Sequence, residues 1–91
     1  MLFTLNTTKQ FEKDYKLCVK RGLNIDLLNN LFELLENTGT LPLKYKPHKL
    51  RGEYMNHFEC HIQPDWLLIW FTDNDNNEIY LVRTGSHGDL F

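Results

Sequence analysis

An α+β domain, with two helices packed on a small, mostly antiparallel sheet, is predicted by three features of the sequence. Two segments of helical periodicity follow a short apolar opening. Three strand-like runs, Tyr54–Gln63, Trp66–Thr72 and Glu78–Thr84, come after them, separated only by turn residues. The chain of 91 residues holds enough apolar side chains for one core and not for two, so residues 1–91 form a single domain.

Each element has its own local signal. Leu2–Leu5 reads as a short first strand. Thr7 and Gln10 have the spacing of a capping box, which opens a helix running to about Arg21 and stopping at Gly22. On its wheel Phe11, Tyr15, Cys18 and Val19 face inward, and Leu17 is the one apolar residue out of place. Lys9, Lys13, Lys16 and Lys20 share an arc of about 60° on the other side. A second helix spans about Ile25 to Asn37, with Asn24 as N-cap and Gly39 past its end. Its apolar half holds Leu27, Leu28, Leu31, Phe32, Leu34 and Leu35, and nothing on it suggests chemistry. The short link between the helices makes them an antiparallel hairpin.

The stretch "TGTLPLKYKPHKLRG" is then a Gly/Pro-punctuated loop carrying Lys44, Lys46, His48, Lys49 and Arg51 without an acid. The three strands follow as two hairpins, turning at "Gln-Pro-Asp-Trp" and at Asp73–Asn77. Trp66–Phe71 is apolar at both alternating sets of positions, which predicts a central strand covered on two sides. The order is β-α-α-β-β-β.

Composition bounds the function. Two cysteines are too few for a disulfide framework, the opening lacks a basic leader with an apolar run, and no apolar stretch is long enough to span a bilayer. A cytoplasmic protein without membrane contact is expected. The net charge of −2 conceals an asymmetry: residues 9–51 carry nine Lys/Arg against five Asp/Glu, and residues 52–91 carry one against seven. A basic face of that kind suits a polyanion, although two ordinary solvated faces would read the same way.

The hairpin registers gather a more specific set. With turns centred on Pro64–Asp65 and near Asn74–Asp75, Arg83 falls opposite Trp66, and His61, Asp65, Trp66 and Arg83 meet at one end of the sheet. The tail "TGSHGDLF" leaves from that end and brings His87 and Phe91, while His48 sits on the basic loop. Cleavage of a phosphodiester by an RNA 2′-hydroxyl needs a base, an acid and a cation on the phosphate, and histidines with an arginine supply them. Trp66 and Phe91 are candidates to stack a base. Taken singly, each residue is better read as a turn, core or surface residue; gathered at one sheet end, they favour a site. Metal chemistry is not supported: Cys60 and His61 point to opposite faces of a strand, and His57 stands roughly 13 Å from His61 along it. No glycine-rich phosphate loop follows a strand, so no cofactor is expected.

In "YKPHKLRG", "ECHIQPDWLLIW" and "LVRTGSHGDLF" the chain resembles the YafQ branch of the RelE-like bacterial toxins, over essentially its whole length. The resemblance implies the RelE-like fold and a metal-independent endoribonuclease that cleaves mRNA in the ribosomal A site and inhibits translation. It puts the catalytic roles on His48, His61, Asp65, Arg83 and His87, and substrate contact on Trp66 and Phe91. Lys9, Lys13, Lys16, Lys20, Lys44, Lys46, Lys49 and Arg51 would then meet ribosomal RNA. A cognate antitoxin is the implied partner, with operator DNA reached only through it. Two other classes remain open at this point: a toxin of the same fold aimed at a topoisomerase, and a non-catalytic RNA- or protein-binding module.

Overall fold

One five-stranded sheet organises the computed structural model, which describes residues 2–91. The strands are β1 (Thr4–Thr7), β2 (His48–Lys49), β3 (His57–Gln63), β4 (Trp66–Asp73) and β5 (Glu78–Gly85), in the spatial order β1-β5-β4-β3-β2. β1 runs parallel to β5, and the other neighbours are antiparallel. Helices α1 (Lys9–Lys20) and α2 (Ile25–Thr38) form the hairpin, and a short α3 (His87–Leu90) closes the chain.

Alternation along the strands gives the sheet two different faces. Trp66, Leu68 and Trp70 of β4 and Ile79 and Leu81 of β5 pack in one core with Phe11 and Cys18 of α1 and Leu28, Leu31 and Leu35 of α2. Leu67 and Ile69 point the other way and form a smaller cluster with Leu90 of α3, Leu50, Tyr54 and Val82. β4 is therefore buried on both sides, as its unbroken apolar run predicts.

Local differences from the expected elements have local causes. The first strand lies two residues later than the apolar run suggests. The N-cap of α1 is Thr8 rather than Thr7, because the Thr8 hydroxyl accepts from Phe11 N at 3.0 Å and donates to the Val82 carbonyl at 3.1 Å. The inward face of α1 is centred on Phe11, Asp14 and Cys18, and Val19, about 100° round from Cys18, is half exposed instead of core. The basic loop is partly ordered: 3₁₀ turns at Leu43–Tyr45 and Gly52–Tyr54 flank β2, which pairs His48 with Glu59 and Lys49 with Phe58. β3 accordingly starts at His57, three residues later than expected.

The expected caps of α2 are present at Asn24 and Gly39. Gly39 has φ 74°, and a Cβ there would come within 2.2 Å of the edge of the Phe3 ring. Gly39→Ala is expected to cost about 1–2 kcal/mol from the left-handed backbone alone, and more for displacing Phe3. Chemical denaturation should register this as a lower midpoint with an unchanged slope.

Candidate active site

The second face of the sheet carries the titratable cluster. His57, Glu59 and His61 alternate along β3 on this face, and in register Glu59 lies opposite Ile69 and His61 opposite Leu67. β2 adds His48 opposite Glu59. The His61 ring stands between two others, its centroid 6.4 Å from that of His48 and 5.7 Å from that of His87.

His87 is aimed by a short helix that is pinned three ways. Ser86 and Asp89 form a reciprocal capping box, Leu90 is buried under the sheet, and Arg21 at the end of α1 grips Asp89 through two hydrogen bonds of 2.6 and 3.2 Å. The Arg21 guanidinium, with the Ser86 backbone N–H, holds the Asp89 carboxyl well below the usual carboxylate range. In the β3–β4 turn, Asp65 Oδ1 accepts the His87 backbone N–H at 2.9 Å and faces His87 Nδ1 at 2.7 Å. These bonds lower the Asp65 pKa, the backbone contact contributing most. A carboxylate on Nδ1 fixes the proton there and leaves Nε2 as the atom that takes or gives one.

His48 is held differently. Its Nδ1 donates to the Lys46 carbonyl at 2.8 Å, and its Nε2 lies 3.3 Å from Glu59 Oε1. With Nδ1 spent as a donor, Nε2 is the ring atom turned toward the Glu59 carboxyl. Glu59 is 5% exposed, and its other oxygen, Oε2, is buried without a partner. The left-handed Lys46, φ 53°, places the carbonyl that orients His48. Lys44, Tyr45, Lys46, His61, Gln63 and Pro64, with Leu27 and Ile62 from the helix-covered side, line a surface cleft of about 620 Å³.

Two expected site residues have surroundings that the sequence does not predict. Trp66 does not offer its ring to a ligand: it is 2% exposed on the helix-covered face, with its indole N–H donating to the Thr84 hydroxyl at 3.0 Å. Arg83 lies opposite Ile69, not Trp66, because the β4–β5 turn takes four residues, Asn74–Asn77, and a register shift follows at Ile69/Trp70. Its guanidinium reaches over the β5 edge to Asp14, with Nε to Oδ2 at 2.7 Å and Nη2 to Oδ1 at 3.2 Å. Asp14 first, and then the Tyr54 hydroxyl, raise the Arg83 pKa further above its ordinary value. Phe91 is 65% exposed and meets Tyr54 edge-on at 6.0 Å. All eight basic residues expected to meet RNA are exposed.

A family model described as the bacterial toxin of type II toxin–antitoxin systems, YafQ, matches residues 3–91. This chain belongs to the YafQ family. It is 40% identical over 84 residues to the mRNA interferase toxin YafQ of Escherichia coli K12, covering 90% of this chain and 88% of that one. It is similar to a metal-bound toxin from Helicobacter pylori, with TM-score 0.89, 41% identity and all of both chains covered. It is also similar to the toxin in the E. coli DinJ–YafQ toxin–antitoxin complex, with TM-score 0.88, 35% identity, and 100% and 99% of the two chains covered. The RelE-like fold expected from the sequence is the fold of these YafQ-family structures.

Four residues of this YafQ-family site escape sequence reasoning. Glu59 looks like the polar member of an alternating strand, and only the pairing of β2 with β3 puts it under His48. Asp14 lies about 40° from Cys18 on the α1 wheel, at the margin of the inward face, and no local pattern gives it a partner. Tyr54 lies in a 3₁₀ turn where a strand is expected. Asp89 had a visible signal, since "SHGD" has capping-box spacing. No helix among the described residues is long and apolar enough to cross a membrane.

Proposed function

We propose that this chain is the toxin of a type II toxin–antitoxin system, an endoribonuclease that cleaves mRNA in the ribosomal A site and stops translation. The observation that carries the proposal is the His87–Asp65 pair at 2.7 Å beside His61. In the reaction the 2′-oxygen attacks phosphorus, the bond from phosphorus to the 5′-oxygen breaks, and a 2′,3′-cyclic phosphate remains. One group must remove the 2′-hydroxyl proton and another must protonate the departing 5′-oxygen. His87–Asp65 and His48–Glu59 supply two such positions on either side of His61. Arg83 and His61 offer donors to the phosphate, and the exposed Phe91 ring is a surface for an unpaired base.

The lysines of α1 and of the 44–51 loop carry the charge for docking on ribosomal RNA, and that docking weakens with salt. A cognate antitoxin holds the protein inactive in the cytoplasm, and operator DNA is met only through the antitoxin; the similar E. coli toxin forms a complex with the antitoxin DinJ. The H. pylori relative carries a metal. Among the described residues of this chain no three His, Cys, Asp or Glu side chains converge to hold one.

The test is to add the purified protein to a reconstituted translation reaction and map mRNA 5′ ends by primer extension. Cuts inside A-site codons that require ribosomes are expected. Intact mRNA in the presence of folded protein overturns the reading and returns the topoisomerase-directed and binding-module alternatives.

A further inference from the structure

Asp14 is the buried carboxylate that the proposed reaction leaves without a role. Its residue is 8% exposed, and its two oxygens accept four hydrogen bonds. Oδ2 takes Arg83 Nε at 2.7 Å and the Thr84 backbone N–H at 3.2 Å. Oδ1 takes Arg83 Nη2 at 3.2 Å and Gln10 Nε2 at 3.1 Å. With every lone-pair direction used, the carboxylate has one orientation. It fixes the guanidinium on the Nε side of its fork; the Tyr54 hydroxyl is the other protein group beside it, and the donors that remain on the Nη1 side are left to meet another anion.

We infer that Asp14 is a positioning residue for nuclease activity, holding Arg83 at the β5 edge so that its Nη1 edge meets the scissile phosphate. The inference rests on the reading of the site as a nuclease. Burial supports it over a purely structural role. Ion pairs taken out of water contribute little net stability and are often replaceable by apolar groups, whereas an arginine fixed from one side is already oriented when phosphate arrives. α1 also bears the lysine stripe on its exposed face, so a single helix joins the RNA-docking surface to the arginine of the site.

The test is a double-mutant cycle of Asp14→Asn with Arg83→Ala, read as single-turnover cleavage on programmed ribosomes. Asp14→Asn keeps an oxygen to accept the Thr84 N–H and removes the charge and half of the fork. It is expected to lower kcat about 10- to 100-fold with little change in KM, and to cost nothing further once Arg83 is alanine. Equal kcat in Asp14→Asn and the parent overturns the inference, as does an undiminished loss in the Arg83→Ala background. A readout that needs no cleavage is solvent exchange of the Arg83 Nε–H by NMR in the parent protein. Slow exchange relative to the exposed Arg51 is expected, and equally fast exchange refutes the clamp whether or not the chain is a nuclease.

Discussion

Replacing His87 with alanine is expected to lower codon cleavage by about 10²–10⁴-fold, the range for removing a positioned proton-transfer group, while leaving thermal stability nearly unchanged. The two halves of this expectation have separate grounds. The His87 side chain is 53% exposed, so its loss opens no cavity. The helix that carries it is anchored by Leu90, the Ser86–Asp89 capping box and Arg21, none of which the substitution touches. The substitution removes the Nε2 position together with the Nδ1 contact to Asp65. Asp65 stays ionised in the variant, because its carboxylate still accepts the backbone N–H of residue 87, the larger cause of its lowered pKa. The sign follows from that direction: a depressed carboxylate keeps its partner's field above the ordinary carboxylate range and loses it only as pH falls through the lowered value. Primer extension with parent and variant at matched folded concentrations measures the ratio. Parent-like cleavage by His87→Ala would remove the Asp65–His87 pair from the mechanism.

The parts of the molecule legible in the sequence are those fixed by short-range patterns. Periodicity locates α1 and α2, Asn24 and Gly39 mark the bounds of α2, and the double-sided apolar run of Trp66–Phe71 identifies the central strand. The His61, Asp65 and His87 gathering follows from a tight turn and a tail leaving the same sheet end. What the sequence conceals depends on register and on long-range partners. One residue shifts in register beside Ile69, and Arg83 moves down the sheet from Trp66. Asp14 meets Arg83 across 69 positions of chain, and no local pattern encodes that meeting. Glu59 joins the site only because two residues of an otherwise irregular loop pair with β3.

Trp66 is where family resemblance and strand geometry give different answers, and a substitution pair separates them. The motif places Trp66 next to Asp65 and so beside the chemistry, yet alternation along β4 turns its ring to the helix-covered core. Trp66→Ala is expected to destabilise the protein by about 3–5 kcal/mol. That is a large part of the ~5–15 kcal/mol available to a small domain, and it lowers Tm by roughly 15–30 °C. Calorimetry reads this directly. Trp66→Phe keeps most of the buried surface and loses the indole N–H bond to the Thr84 hydroxyl, while that hydroxyl retains its own 2.8 Å bond to the Leu67 carbonyl. Its expected cost is about 1–2 kcal/mol, with cleavage per folded molecule unchanged. Base stacking by Trp66 makes a different forecast for the same pair, because phenylalanine would weaken cleavage out of proportion to stability. A fall in kcat/KM of Trp66→Phe at temperatures where the variant is fully folded would mean that the ring leaves the core to meet RNA. The buried position of Trp66 argues for the opposite result.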